Sequence, residues 1–147
     1  FSSFFSKYIF YINIIFNLYL LFYSNISKIF ILKRYFIDLF IINFCFKWCL
    51  DRKRPNTSIY KKFNSIFDIT ISKKWKMNQS FPSGHLSTIF NTYLLIIKLN
   101  NQYLNNLYLI FTILTFYSRI NLGAHHLSDC IFSLFLSLFF NKIITDF

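Results

Sequence analysis

Residues Ser118–Asp129 read SRINLGAHHLSD and place an arginine, two histidines and a carboxylate between two apolar runs. The run before them ends in FTILTFY, and the run after them begins CIFSLFLSLFF. Ionisable groups beside stretches this apolar are costly and usually mark a functional site. His125 and Asp129 are four residues apart, which places both on one face of a helix. We therefore expect the carboxylate to accept a hydrogen bond from one ring nitrogen of His125. The other nitrogen is then free to act as a base, a metal ligand or a nucleophile.

The composition of the 147-residue chain favours an integral membrane protein of one domain. Hydrophobic residues make up 55% of it, aromatic residues 23% and charged residues only 14%. A soluble domain of this size would expose too much apolar surface with that mixture. The net charge of +11 gathers at the ends of apolar runs and in one loop. This distribution suits phosphate or anionic lipid headgroups, so we expect a lipid bilayer as a partner and no nucleic acid.

Five apolar segments predict an all-α fold, a polytopic membrane bundle of five transmembrane helices. The predicted helices are Phe4–Tyr23, Ile29–Leu50, Ser83–Leu99, Tyr103–Tyr117 and Leu127–Ile144. The third and fourth are short for a full span, and we interpret them as a hairpin inside the bundle. The polar segment Asp51–Phe81 joins the second helix to the third. It contains eight basic residues: Arg52, Lys53, Arg54, Lys61, Lys62, Lys73, Lys74 and Lys76.

Successive helices cross the membrane in opposite directions, which places three polar clusters on the same side. The first cluster consists of Lys47 and Arg54-Pro55. Its spacing is K-x6-RP. Seven residues are about two helical turns, so both cations should share one helix face. Pro55 disfavours helix at Arg54 and predicts a turn there. The guanidinium fork suits a phosphate, and the lysine adds a point charge. The alternative is a pair of interfacial cations that end a membrane helix.

The second cluster is FPSGH, residues Phe81–His85. Proline and glycine allow a tight turn into a helix, and Ser83 is well placed as the N-cap residue. The free N–H groups of a helix start bind phosphate, and Gly84 would let a phosphate approach the backbone closely. His85 beside it can give or take a proton. The alternative is a capped helix start with an incidental histidine.

The third cluster is the opening stretch, where Arg119 adds another guanidinium for an anion. The alternative for His125 and Asp129 is a structural hydrogen-bonded pair at a helix start. His126 has no evident partner in the sequence, and we expect it to lie at the interface or to support a neighbouring site residue.

In chain order, K-x6-RP, PSGH and SR-x5-H-x3-D resemble the signature of the type 2 phosphatidic acid phosphatase superfamily. That superfamily includes undecaprenyl-pyrophosphate phosphatases, lipid phosphate phosphatases and the soluble vanadium haloperoxidases. The resemblance covers residues 47–129 directly and extends by topology over all five helices. Membrane members commonly have six helices. The resemblance therefore implies one membrane-embedded phosphatase domain over residues 1–147, with a first helix lacking.

The resemblance also implies roles for individual residues. His125 would attack phosphorus and form a phosphohistidine, Asp129 would orient it, and His85 would protonate the leaving oxygen and then activate water. The residues implied to hold the phosphate are Lys47, Arg54, Ser83, Gly84 and Arg119. No metal and no cofactor is implied, because cations and backbone dipoles would stabilise the developing charge. The sequence likewise offers no acidic cluster to hold Mg²⁺.

The implied activity is hydrolysis of the phosphate or pyrophosphate of a lipid, either phosphatidate-type or polyprenyl. The main alternative is a non-catalytic membrane protein of the same fold that binds lipid phosphates. The hydrophobicity argues against a haloperoxidase, and charges clustered at one interface argue against a transporter. The positive-inside rule would put the motif side in the cytoplasm, whereas the family implies an extracytoplasmic or luminal catalytic face. We expect the latter, because part of the basic charge belongs to the site.

Overall fold

Five helices make up most of the chain that the computed structural model describes, residues 2–50, 52–55 and 79–146. Helix α1 spans Ser2–Tyr23. Helix α2 is continuous but has three parts: α-helical Lys28–Phe36, π-helical Ile37–Cys45 and α-helical Phe46–Cys49. The described residues contain no strand, and the predicted all-α fold is confirmed.

Three further helices complete the bundle: α3 spans Gly84–Ile97, α4 Gln102–Asn121 and α5 Leu127–Asp146. The predicted end of α4 at Tyr117 is four residues too early. The hydroxyl of Ser118 donates to the carbonyl of Thr115 at 3.0 Å, so this polar residue is accommodated inside the helix. Helix α4 consequently carries Arg119 in its last turn. Most of the predicted polar segment, including its basic residues from Lys61 to Lys76, lies outside the described residues.

Helix α1 runs parallel to α3, as two contacts at different depths show. The ring of Phe10 lies 4.4 Å from the ring of His85, between centroids. Seven residues further along both helices, the Asn17 amide donates to Thr92 Oγ1 at 2.9 Å. The start of α1 therefore lies at the same end of the bundle as the start of α3.

Helix α2 runs antiparallel to α3 and is joined to it by a buried polar network. The Asp38 carboxylate, in the π-helical part, accepts from Thr88 Oγ1 at 2.6 Å and from Asn91 Nδ2 at 2.8 Å. Asn91 Oδ1 in turn accepts from Arg34 Nη2 at 2.8 Å, and Arg34 Nη1 donates to Asn141 of α5. Polar groups that bond across helices in this way fix the helices relative to one another.

The opposite end of the bundle is held by apolar packing. Leu20 of α1, Ile31 of α2 and Leu95 of α3 form a buried cluster. The ammonium of Lys98, just after α3, lies 3.8 Å from the centroid of the Phe30 ring, close enough for a cation–π interaction. The α1–α2 turn and the end of α3 are therefore neighbours at this end.

Beside this apolar core, many polar side chains are buried and many large apolar side chains are exposed, which is unusual for a soluble protein. On α5, Ser133 and Ser137 are fully buried, whereas Phe135 is 62% exposed and Ile131 54% exposed. Within the described residues, one segment is both long and apolar enough to cross a membrane by length and composition, Leu127–Thr145, with a mean hydropathy of 1.6. The helical stretches Tyr8–Tyr23 and Gly84–Ile97 are apolar but shorter.

Candidate active site

The three sequence clusters meet at one end of the bundle. Lys47, at the end of α2, places its ammonium 3.1 Å from the position that a Cβ on Gly84 would occupy. Arg119, in the last turn of α4, places Nη2 3.5 Å from Nε2 of His125. The ends of α2 and α4 thus face the start of α3 and the loop before α5.

Arg54 reaches this site by a route that the sequence did not predict. Helix α2 ends at Cys49, where Leu50 adopts a non-helical conformation with φ −118° and ψ 52°. The prediction that Lys47 and Arg54 share one helix face is therefore wrong, because Arg54 lies in a non-helical segment after the helix. Its guanidinium is buried and donates to the carbonyl of Ala124 at 2.8 Å. The cation approaches the site from the side of the α4–α5 loop.

The start of α3 presents polar groups with unused hydrogen-bonding capacity. Ser83 is the N-cap residue, as predicted, in an extended conformation with φ −78° and ψ 97°. Its hydroxyl makes no cap hydrogen bond and is buried without a partner among the described residues. The Ser83 N–H donates to Ser133 Oγ at 2.7 Å, which ties the cap to α5. The first N–H groups of a helix have no partner within it, so this end can bind an anion.

Gly84 is required by the packing between α2 and α3. A Cβ at this position would clash with Oδ1 of Asn43 and lie 3.0 Å from its Cγ. The Asn43 amide is itself held, because Nδ2 donates to the carbonyl of Asp38 at 2.8 Å. Asn43 is a neighbour of the site that sequence reasoning missed. Its only signal was an isolated polar residue one turn before Lys47 in an apolar run.

His125 has its tautomer set by the partners on its two sides. Nδ1 lies 2.5 Å from the carbonyl oxygen of Ser80. A carbonyl only accepts, so Nδ1 carries the proton. Nε2 faces the guanidinium of Arg119 at 3.5 Å, and a guanidinium only donates. The unprotonated nitrogen of His125 therefore points towards the cations.

The charge around His125 keeps its imidazole neutral. Burial lowers the pKa of His125 well below its ordinary value of 6.5, and the positive charges of Arg119, Arg54 and Lys47 lower it further. The hydrogen bond to Ser80 acts in the opposite direction but is outweighed. A neutral imidazole with a free Nε2 is the form that a nucleophile or base requires.

The predicted hydrogen bond between His125 and Asp129 is wrong. Asp129 Oδ1 instead pairs with Arg52 Nη1 at 2.5 Å, and Oδ2 accepts from Ser80 Oγ at 2.5 Å and from the His126 N–H at 2.9 Å. The reason is that α5 begins only at Leu127, so His125 precedes the helix and the four-residue spacing does not place the two on one face. Asp129 is the third residue of α5, and its carboxylate reaches back to the N–H before the helix, as in half of a capping box.

Two residues that the sequence analysis did not single out, Ser80 and Arg52, thus contact the predicted site directly. Each lies two residues before a motif residue, and this adjacency was their only signal. The unassigned His126 also has a partner, the carbonyl of Lys53, 3.2 Å from Nε2. The short segment at residues 52–54 therefore packs along the α4–α5 loop.

His85 lies in the first turn of α3, next to Gly84. Its ring is half-buried and packs against Phe10, with an interplanar angle of 40°. Among the residues that the structure describes, none makes a hydrogen bond to its ring nitrogens. Packing therefore holds the ring, and its nitrogens are left for a substrate or water.

Comparison with known proteins matches a family model described as "PAP2 superfamily" to residues 14–147. No curated protein and no solved structure is matched by the chain.

Proposed function

The chain belongs to the PAP2 superfamily, and on this basis we propose that it is an integral membrane phosphatase that hydrolyses the phosphate or pyrophosphate of a lipid through a phosphohistidine. Family membership supports a phosphatase acting on phosphate esters. The observation that carries the finer proposal is the orientation of His125, whose unprotonated Nε2 faces Arg119 while two further cations act on the same ring.

In the proposed first step, Nε2 of His125 attacks phosphorus and the bond from phosphorus to the lipid oxygen breaks. The N–P bond forms as the lipid oxygen leaves with a proton from His85. The charge on the phosphoryl oxygens is met by cations and by the start of α3, which stabilise the transition state without rearrangement. The groups in this role are Lys47, Arg54, Arg119, the hydroxyl of Ser83 and the Gly84 amide.

In the proposed second step, water attacks the phosphohistidine. His85, now neutral, takes a proton from this water, and the N–P bond breaks to release inorganic phosphate. His125 keeps its Nδ1 proton throughout, because the Ser80 carbonyl accepts from it at 2.5 Å. The positive charge that the ring gains in the first step and loses in the second is stabilised by this carbonyl.

The distribution of side chains supports a membrane location. Large apolar side chains face outward, such as Ile15 at 68% exposure and Phe22 at 66%, while Asn13 is fully buried. An apolar exterior of this extent is costly in water and favourable in lipid. We infer a multi-pass arrangement in which the helix ends that carry the site lie at one interface, where the phosphate of a lipid is found.

The family resemblance supports one choice for the side of the membrane on which the site lies. We propose an extracytoplasmic or luminal catalytic face. Two of the basic residues at that end, Arg54 and Arg119, are buried at 9% and 5% exposure, so they belong to the site and are poor indicators of orientation under the positive-inside rule.

The proposal is tested by phosphate release from lipids in detergent. The purified protein is incubated with phosphatidate, phosphatidylglycerol phosphate, a polyprenyl pyrophosphate and a lipid A phosphate, each with EDTA present. We expect release from at least one of these lipids, competition by vanadate and no release by the His125→Ala variant. Activity lost on chelation and restored by Mg²⁺ would contradict the mechanism. Vanadate binding without release from any lipid would favour a non-catalytic protein that binds lipid phosphates.

A further inference from the structure

We propose that Ser80 is the positioning residue of the nucleophile and that Asp129 and Arg52 act on the His125 ring through Ser80 and not by direct contact with the ring. This inference rests on the proposed function, since it assigns His125 the nucleophilic role. It differs from the family expectation, in which the carboxylate orients the histidine itself.

Ser80 bonds to its surroundings through three different atoms. Its carbonyl accepts from Nδ1 of His125, and its hydroxyl donates to Asp129 Oδ2, each at 2.5 Å. Its N–H donates to the carbonyl of Arg52 at 2.9 Å. The residue is fully buried. The orientation of the carbonyl that holds the imidazole is therefore determined by the hydroxyl and the N–H of the same residue.

Arg52 closes the arrangement into a triangle with Ser80 and Asp129. Its Nη1 pairs with Asp129 Oδ1 at 2.5 Å and donates to Ser128 Oγ at 3.0 Å. The Asp129 side chain is fully buried, while that of Arg52 is 42% exposed. A buried carboxylate is costly unless it is paired and hydrogen-bonded, and Arg52, the Ser80 hydroxyl and the His126 N–H bond this one.

The consequence for chemistry is control of the His125 tautomer. A carbonyl cannot donate, so a well-placed Ser80 keeps the proton on Nδ1 and leaves Nε2 free to attack. If the peptide at Ser80 can rotate, the ring also populates the tautomer with the proton on Nε2, which cannot attack phosphorus. Residues that orient a metal-binding histidine from outside typically contribute roughly 10–100-fold to activity, and we expect an effect of the same order for a reacting histidine.

This arrangement predicts different results from a direct pair of carboxylate and histidine. With a direct pair, Asp129→Asn would present an amide to the ring and shift the proton to Nε2. In the arrangement proposed here, Asp129→Asn presents no group to the ring, because Nδ1 donates to the Ser80 carbonyl, so the proton stays on Nδ1. Ser80→Ala, by contrast, removes the hydroxyl that fixes the carbonyl, and we expect it to mix the two tautomers.

The experiment combines steady-state kinetics with ¹⁵N NMR of the imidazoles in detergent. The chain has three histidines, so the ring signals are assigned with single His→Gln variants. We expect Ser80→Ala to lower kcat by roughly 10–100-fold with little change in KM, and to move the His125 ring signals towards the Nε2-protonated form. Arg52→Ala, at an exposed position, should have a smaller effect in the same direction, and Arg52→Lys should partly restore kcat.

Ser137→Ala is the matched control, because Ser137 is also fully buried and its hydroxyl has no partner among the described residues. It should leave both kcat and the His125 signals unchanged. An Nε2-protonated His125 in Asp129→Asn, or unchanged signals and unchanged kcat in Ser80→Ala, would overturn the proposal. The NMR measurement needs no turnover. If the protein shows no phosphatase activity, the proposed function is refuted. The ring signals would still decide whether Ser80 sets the tautomer of His125.

Discussion

At the scale of single residues, the site depends on which nitrogen of one imidazole carries a proton. His125 lies between a carbonyl, which must accept, and a guanidinium, which must donate. These partners belong to the segment before α3 and to the end of α4. The tautomer of His125, the proposed nucleophile, is thus set by the meeting of two segments that are distant in sequence.

The pH dependence of kcat/KM should reflect the environment of His125. The attacking ring must be neutral, and its pKa is lowered well below 6.5 by burial and by three cations. A base with a lowered pKa stays unprotonated down to a lower pH. The fall of kcat/KM on the acidic side of the pH profile, its acid limb, should therefore lie below pH 6.5. Arg119→Gln removes one cation and should move that limb upward, whatever its effect on substrate binding. A wild-type acid limb at or above the ordinary histidine value would contradict this assignment.

The two histidines of the site should differ in their dependence on the leaving group. His125→Ala removes the nucleophile and should abolish turnover of every substrate. His85→Ala removes a general acid, a loss of roughly 10²–10⁴-fold that matters most for a poor leaving group such as a lipid alkoxide. An aryl phosphate leaves without help, so His85→Ala should still give a product burst in a rapid-quench assay. A burst from the His125 variant and none from the His85 variant would show that the roles are reversed.

The sequence predicted residues that the structure brings together at one end of the bundle, but not the residues that hold them. Histidine, arginine and lysine beside apolar runs are costly, so they were conspicuous as functional candidates. Ser80 was not, because a serine in a polar segment is ordinary and its carbonyl has no sequence signal. The His125–Asp129 bond was predicted wrongly because spacing implies a shared face only inside a helix, and α5 begins two residues after His125.

At the scale of elements, the contact between α2 and α3 determines the shape of the proposed phosphate pocket. Asn43 and Lys47 of α2 pack against Gly84, the first residue of α3. The same turn of α2 is π-helical, with the Asn43 side chain bonded to the carbonyl of Asp38. π-Helical turns are rare in proteins, and those that occur are often found at functional sites. Nothing in the apolar sequence of this segment predicted one.

Gly84→Ala should destabilise this contact, because its Cβ would overlap Asn43 Oδ1. The Lys47 ammonium, 3.1 Å away from that Cβ, ends a flexible side chain and can move. Overpacking of this kind costs about 1–3 kcal/mol in the free energy of unfolding, which equilibrium denaturation in detergent would measure. Asn43→Ala alone loses one hydrogen bond, worth about 1 kcal/mol. If the clash is with Asn43, the double variant should lose less free energy of unfolding than the two single variants lose together. A loss equal to that sum would show that the clash is relieved elsewhere.

The buried network centred on Asp38 should matter for stability. Asp38→Ala leaves the Asn91 amide, which donates to it at 2.8 Å, without that partner. An unsatisfied buried donor costs about 1–3 kcal/mol, so the variant should unfold at a lower temperature. Asp38→Asn is the matched control, since it keeps the size and one oxygen acceptor, and its loss should be smaller. Equal melting temperatures for the alanine variant and the wild type would show that the network contributes no stability.

At the scale of the whole molecule, the order of helices could be predicted from apolar segments and short polar turns alone. Each predicted helix has an observed counterpart, since hydrophobic runs of this length leave few alternatives. Relative placement could not be predicted in the same way, because it depends on cross-helix hydrogen bonds such as that of Asn17 with Thr92. The helix face predicted for Arg54 was wrong for the same reason, since a bond to the Ala124 carbonyl holds the guanidinium at the α4–α5 loop.

The bundle has two ends that should face opposite sides of a membrane. At the site end are the segment that contains Lys53 and the last residue of α4, Asn121. At the other end are the α1–α2 turn, which contains Asn25, and the first turn of α4, which contains Tyr103. Packing of Leu20 against Ile31 and Leu95 places that turn beside the end of α3. All four positions are exposed, so substitutions there should not disturb the core.

Single cysteines at Lys53, Asn121, Asn25 and Tyr103 should therefore label in two matched pairs with an impermeant thiol reagent. The background variant lacks the native cysteines at positions 45, 49 and 130. In intact cells, an extracytoplasmic site predicts labelling at Lys53 and Asn121 but not at Asn25 and Tyr103, and inverted membrane vesicles should give the opposite result. If instead Asn25 and Tyr103 label in cells, and Lys53 and Asn121 label in inverted vesicles, the helical bundle would be supported but its orientation in the membrane would be the reverse of the one proposed. Labelling of Asn121 and Tyr103 from the same side would be incompatible with a membrane-spanning α4, since these positions lie at opposite ends of that helix.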